Sequence, residues 1–261
     1  MKTMKIALIT MLIFFTAGLI SAQEYKIPVQ NSRDGKLVLK NFIGDLPIEG
    51  YAGNDIIITS ASSPEHFTPP EKAKGLKAIY PSGTDNTGIG LDVQKNGNQI
   101  TVTCLLPFTS EGEYKIRMPD NFAIEMESPC ERSSDVTIEN MKNEIDINNC
   151  QGITLKNVTG PLVLHSIAGD VNVTFGAINS DKPFSITSVS GDIDITLPVK
   201  TATTLTLETI SGAIYSDFEI AETQKNLKRI GGNDFEIPLN GGGFKFNVYT
   251  VSGVIYLRKG N

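Results

Sequence analysis

The chain has 261 residues, 40% of them hydrophobic and 20% charged, with a formal net charge of −6, three cysteines, two histidines and no tryptophan. An acidic balance argues against a phosphate-binding surface of clustered cations and against adsorption to an anionic membrane face, so no nucleic acid is expected as a partner. The cysteines and histidines are too few and too scattered for a zinc site, which takes about four clustered ligands, and no metal or cofactor is expected.

Lys2 and Lys5 precede a mostly apolar run from Ile6 to Ile20, followed by Ser21, Ala22 and Gln23. A basic start, a short apolar core and small residues at its end describe a secretory signal peptide over residues 1–22, cleaved after Ala22. The run is shorter than the ~20 apolar residues of a bilayer-spanning helix, so the mature protein is expected to carry no membrane span. It would be exported, to the periplasm or to the cell surface and beyond. The odd cysteine count leaves at least one thiol outside any intramolecular bridge. Cys130 and Cys150 lie 20 residues apart and could stack on adjacent turns. We read Cys150 instead as a small buried apolar residue, a frequent role of free cysteine.

One eight-residue phrase recurs along the chain: apolar, any, apolar, any, Asn/Ser/Thr, apolar, any, Gly. It runs LVLKNFIG from Leu37, VTIENMKN from Val136, IDINNCQG from Ile145 and ITLKNVTG from Ile153. It continues as LVLHSIAG from Leu162, FSITSVSG from Phe184, LTLETISG from Leu205 and FNVYTVSG from Phe246. Alternation at period two makes each phrase a strand with one buried face. The small polar fifth position suggests a bend, and the eighth-position Gly, replaced only by Asn143, suggests a backbone at positive φ.

Phrase starts at 136, 145, 153 and 162 are 9, 8 and 9 residues apart, so two rungs make a turn of 17 residues, with longer turns after residue 162. The fold expected is all-β: a right-handed parallel β-helix-like solenoid with Gly-cornered repeats, its apolar columns stacked along the axis. Asn41, Asn140, Asn149, Asn157, Ser166, Ser188, Thr209 and Thr250 would line its bends as polar ladders that satisfy corner backbone groups. An antiparallel sandwich is the other reading, but it gives no reason to repeat one polar class at one phase.

The solenoid repeats proper cover residues 122–261. Residues 23–121 form an irregular N-terminal strand and capping region of the same continuous domain, with loops at Ser63–Pro70 and Tyr80–Gly90 and strands at Ile56–Thr59 and Gln99–Leu106. Residues 221–230 are the one stretch with helical character. Arg258 and Lys259 place charge on the last strand, where it would guard an open sheet edge.

The stretches SVSGDIDITLP (Ser188 to Pro198), TISGAIYS (Thr209 to Ser216) and TVSGVIYL (Thr250 to Leu257) share one further pattern, with KLVLKNFIG from Lys36 and LNGGG from Leu239 beside them. In these stretches the chain resembles the DUF4097 adhesin-like family of the toast-rack group of bacterial envelope proteins, over essentially the whole mature chain. The resemblance implies an exported or surface-exposed β-solenoid and supplies no catalytic residues. Some members of the group sit in envelope-stress systems.

His66 and His165 are the only histidines, and His165 falls on an outward strand position, where it reads as surface. No nucleophile elbow or phosphate-cradling loop is present. The best carboxylate cluster is Asp170, Asp192 and Asp194, with Asp146 in a related phase; Asp170 and Asp192 should be neighbours on successive turns. Such a cluster could serve as an acid/base pair or bind Ca²⁺, although Asp beside a tight turn is common for structural reasons. A second outward column runs Asn172, Asp194, Tyr215 and Tyr256, and aromatic rings on a flat strand face can pack against sugar or protein. The function expected is a non-enzymatic binding module contacting an envelope glycan or protein, with Asp170, Asp192, Asp194, Tyr215 and Tyr256 as the candidate face. The alternatives are a polysaccharide-active enzyme using the Asp face and an envelope-stress sensor module. End-to-end stacking into oligomers is compatible with such a body.

Overall fold

The structure, a computed structural model, describes residues 22–29, 34–61, 71–76, 79–107, 112–178, 182–219 and 233–260. Residues 1–21 of the expected signal peptide, the Ser63–Pro70 loop with His66, and the expected helical stretch 221–230 lie outside the described residues.

Among the described residues every element is a strand apart from 3-10 turns at Glu71–Ala73 and Cys130–Arg132. In chain order the strands are β1 (Gln23–Pro28), β2 (Lys36–Lys40), β3 (Leu46–Tyr51), β4 (Asp55–Ser60), β5 (Leu91–Asn96), β6 (Gln99–Cys104) and β7 (Tyr114–Pro119). There follow β8 (Ala123–Glu127), β9 (Val136–Glu139), β10 (Ile145–Asn149), β11 (Ile153–Val158), β12 (Leu162–Ser166), β13 (Val171–Phe175) and β14 (Phe184–Ser190). The last six are β15 (Ile193–Pro198), β16 (Thr203–Ser211), β17 (Ile214–Ser216), β18 (Asn233–Leu239), β19 (Phe244–Ser252) and β20 (Ile255–Gly260).

They form two mixed ten-stranded sheets. Sheet A has the order β1-β4-β7-β3-β9-β11-β13-β15-β20-β17, and sheet B the order β18-β16-β19-β14-β12-β10-β8-β2-β6-β5. From β8 to β15 the chain alternates between the sheets, one strand in each per turn. Val136 pairs with Ile153 and Ile145 with Leu162, both in parallel register, which is the 17-residue turn read from the phrase spacing. Antiparallel pairing is confined to the ends of the stack: β1–β4–β7, β5–β6 and β16–β18. There the chain reverses to cover the outermost parallel strands, which would otherwise present unpaired backbone. The strands expected at Ile56–Thr59 and Gln99–Leu106 are two of these end elements, β4 and β6.

Turns do not stack in the order in which they occur. The β19–β20 turn inserts between β14–β15 and β16–β17, pairing with both. The other end repeats the device: β2–β3 lies between β6–β7 and β8–β9. One expectation falls with this: Arg258 and Lys259 sit on an internal strand, so they guard no edge.

Inward residues from the two sheets meet in one continuous core. Sheet B contributes columns such as Leu37, Ile124, Ile145, Leu162, Phe184, Phe246 and Leu205, and sheet A contributes Leu46, Val136, Ile153, Val171, Ile193 and Ile255, all buried. Toward the C-terminal end the columns turn aromatic: Phe184 lies 4.7 Å from Phe244 and 5.3 Å from Phe246 between ring centroids, with Phe175 stacked at 5.8 Å. Large rings fill the extra width there and add edge-to-face contacts to area burial.

The phrase glycines stand at corners from sheet B to sheet A, apart from Gly160, which joins β11 of sheet A to β12 of sheet B, and for most of them the reason differs from the expected one. Among the phrase glycines only Gly44 and Gly160 have positive φ. Gly152, Gly169, Gly191, Gly253 and Gly212 instead stack one above another, and a methyl on any of the last four would run into the backbone of the glycine in the adjoining turn. Positive φ falls on fifth-position asparagines instead, Asn41, Asn140 and Asn157, whose short polar side chains tolerate it. The remaining fifth positions, Asn149, Ser166, Ser188, Thr209 and Thr250, are fully buried, and part of the expected polar ladder forms there. Ser166 Oγ donates within reach of the Gln151 and Gly169 carbonyls, Thr209 Oγ1 donates to Gly253 O, and Thr250 Oγ1 donates to Gly191 O.

Cys130 and Cys150 form a disulfide, with Cα atoms 5.1 Å apart, and Cys104 is the free, buried thiol. The reading of Cys150 as an unbridged apolar residue is thereby corrected. A 3-10 turn at Cys130–Arg132 brings the first sulfur beside the corner that follows β10.

Candidate binding face

The carboxylates singled out in the sequence precede or occupy sheet A strands at its C-terminal end. Asp170 and Asp192 each stand one residue before their strands, and they are neighbours on successive turns as expected. One oxygen of each is committed to the scaffold. Asp170 Oδ1 accepts the backbone N–H of Asp192 at 2.8 Å, and Asp192 Oδ1 accepts that of Val254 at 2.7 Å. Asp135 accepts the Gly152 N–H at 2.9 Å in the same way, two turns earlier. Each carboxylate thus satisfies a corner donor of the next turn, a charge-assisted bond that holds adjacent corners in register.

Asp194 is held differently. Arg258 reaches it through Nε and Nη2, with contacts of 2.8, 2.9 and 2.8 Å. This fork-to-fork pair fixes both side chains. The Asp194 hydrogen bond and charge hold the Arg258 guanidinium above its ordinary pKa. Asp146 does not join the others: it faces out from sheet B, in register with Glu125 of β8. Burial, then Glu125 and Glu144, push its carboxyl above the ordinary value, while Lys36 pulls the other way.

Tyr215 and Tyr256 come together, but in the reverse of the expected order. Tyr256 pairs with Asp194 on one side and with Tyr215 on the other. The two rings stack with centroids 5.8 Å apart and planes at 15°. Arg258 lies over the Tyr256 ring, 5.4 Å from its centroid. Asp194, Arg258, Tyr256 and Tyr215 therefore form one chain of contacts across three strands, ending on a tyrosine that is 59% exposed. Reasoning from sequence missed Arg258. The signal was available: it stands two residues after Tyr256 on one strand, hence on the same face.

His165 pairs through Nδ1 with Thr187 Oγ1 at 2.8 Å, across neighbouring strands of sheet B. A groove of about 830 Å³ near the ends of β3, β4 and β7 is lined by Asp45, Glu113 and Lys115 among others, and by none of the candidate residues. Among the described residues no group of three or more His, Cys, Asp or Glu could hold a metal ion, and no helix is long and apolar enough to cross a membrane.

A model of the Toastrack DUF4097 family matches residues 44–236, about three-quarters of the chain. The chain belongs to the Toastrack DUF4097 family. No curated protein matches it. Among solved structures, a "putative cell adhesion protein" from Clostridium sporogenes is similar at 13% identity and TM-score 0.49, covering 92% of this chain and 100% of that one. A "putative adhesin" from Bacteroides fragilis is similar at 14% identity and TM-score 0.39, covering 92% and 97%. A "Putative lipid binding protein" from Parabacteroides distasonis is similar at 10% identity and TM-score 0.26, covering 92% and 97%. Within this Toastrack chain the tyrosine face and the Asp column sit side by side on sheet A.

Proposed function

We propose that the protein is an exported, non-enzymatic binding module of the bacterial envelope, and that it contacts a glycan through the sheet A face ending at Tyr215. The exposed ring of Tyr215, backed by Tyr256 and Arg258, carries this reading. A rigid stacked aromatic with one free face suits the apolar face of a sugar ring, and its ordering cost is already met by the protein. Catalysis by the Asp face is disfavoured by its hydrogen bonding. An acid/base pair needs carboxylates free to exchange protons with substrate, whereas Asp170 and Asp192 accept corner N–H groups and Asp194 is paired with Arg258. For the winding of the solenoid we take the right hand, the usual sense of crossovers between parallel strands.

The test is equilibrium binding to purified envelope polysaccharides, followed by product analysis of the same mixtures. Tyr215→Ala is expected to weaken binding about tenfold, the loss of one stacking contact of ~1.4 kcal/mol, with no product formed by either protein. Turnover by the wild type that disappears in Asp192→Asn would make the protein an enzyme. Binding to protein partners but to no glycan, lost in Tyr215→Ala, would keep the face and change the ligand class.

A further inference from the structure

The corners leading from sheet B to sheet A form one column along the molecule, yet two different devices hold it. From β10 onward the corners interlock through stacked glycines and buried fifth-position side chains. On the N-terminal side Gly44 still lies against the Gly112 carbonyl, but among the described residues no buried fifth-position side chain continues the ladder, and the corners after β6, β2 and β8 are joined by the segment around the Cys130–Arg132 turn. Arg132 donates to Asn41 O through Nε at 3.1 Å and Nη2 at 2.9 Å, and to Leu106 O through Nη2 at 2.8 Å. Asn41 stands in the corner after β2, and Leu106 follows β6. Two residues before Arg132, Cys130 is bonded to Cys150 in the corner after β10. One short segment thus ties four successive corners, by a guanidinium on one side and a disulfide on the other.

We propose that this segment is a redox-sensitive latch: reduction of Cys130–Cys150 by an exogenous dithiol uncouples the N-terminal turns from the ladder-held remainder of the solenoid. Cys130 is exposed, which makes the bridge accessible to such a reagent. A thiolate of the dithiol attacks one sulfur of the bridge, forming a mixed disulfide and expelling the other cysteine as thiolate. The second thiol of the reagent closes on the mixed disulfide and releases the remaining cysteine. Two electrons pass from the dithiol, now a disulfide, to the two cysteines, each of which takes up a proton. With its covalent anchor gone, the segment stays tied to the corner after β10 only beyond Arg132, where Ser133 Oγ donates to Asn149 Oδ1 and accepts the Cys150 N–H and Asn149 Nδ2 donates to Ser134 O, and the guanidinium loses its fixed position over Asn41 and Leu106.

Hydrogen exchange read by mass spectrometry, with and without dithiothreitol, tests the proposal on the intact protein. Expected is exchange at least ~10-fold faster in peptides covering β2, β3, β6 and β7, with β14 to β20 unchanged. Cys130→Ser/Cys150→Ser should show the fast pattern without reductant and no further response to it. Arg132→Ala should show it with the bridge intact. Two results would overturn the proposal: equal acceleration along the whole chain, or no acceleration in the N-terminal turns once mass analysis shows the bridge reduced.

Discussion

Ser166 and Ser188 occupy the same place in successive turns, and both are buried, yet their hydroxyls differ. Ser166 Oγ donates toward two corner carbonyls and accepts the Gly169 N–H, whereas Ser188 Oγ has no partner. Removing a satisfied buried hydroxyl strands its partners at a cost of about 1–3 kcal/mol, while removing an unsatisfied one relieves a penalty. Urea denaturation should therefore show Ser166→Ala destabilised by that amount, and Ser188→Ala unchanged or slightly more stable. At this scale the sequence is informative about chemical class and less so about cause. That the fifth position must be small and polar is legible, because the class repeats at one phase. Why the eighth must be glycine is not, because a positive φ and a close neighbouring backbone impose the same residue. The neighbour in question lies a whole turn away in the chain.

A corner is the smallest unit that two adjoining turns share, and the glycine column shows what sets their distance. A methyl on Gly191 would meet the carbonyl of Gly169, and the carbonyl cannot yield without moving its own turn. Gly191→Ala is expected to cost about 1–3 kcal/mol, the range for an overpacked site, seen as a lower urea midpoint with an unchanged slope. Strand positions and inward faces were legible from period-two alternation alone. The stacking order of the turns was not, for a definite reason. Strands β14, β19 and β16 carry the same inward and outward pattern, so placing β19 inside or outside β16 buries the same kinds of residue. The disulfide was hidden likewise: a separation of 20 residues allows a bridge between adjacent turns, but only the 3-10 turn places Cys130 beside Cys150. The candidate face was legible in its tyrosines from their column and in its arginine from the two-residue spacing after Tyr256, but the order of the tyrosines was not, because it depends on β20 being internal.

Over the whole molecule, the inserted turns make the C-terminal residues a structural keystone. In a solenoid stacked in chain order, deleting the last turn would trim the end and leave the rest intact. Here β19 pairs with both β14 and β16, and β20 with both β15 and β17. Deleting residues 244–261 should therefore release β16, β17 and β18 as well. Limited proteolysis of that truncation is expected to cleave readily within residues 199–243 while sparing β8 to β13.

The same arrangement governs how a body of this kind can change length. At the C-terminal end the outer turn, β16–β17, comes earlier in the chain than the one tucked beneath it, and at the N-terminal end the outer turn, β6–β7, comes later, so neither end can accept an appended repeat without being rebuilt. Only the run from β8 to β15, where sequence and stacking advance together, is open to duplication. Each unit copied there would push the two termini of the stack apart by one strand spacing, ~4.8 Å. The middle of the molecule then acts as an adjustable spacer between two fixed heads, one built on the inserted β2–β3 turn and the other bearing the tyrosine face.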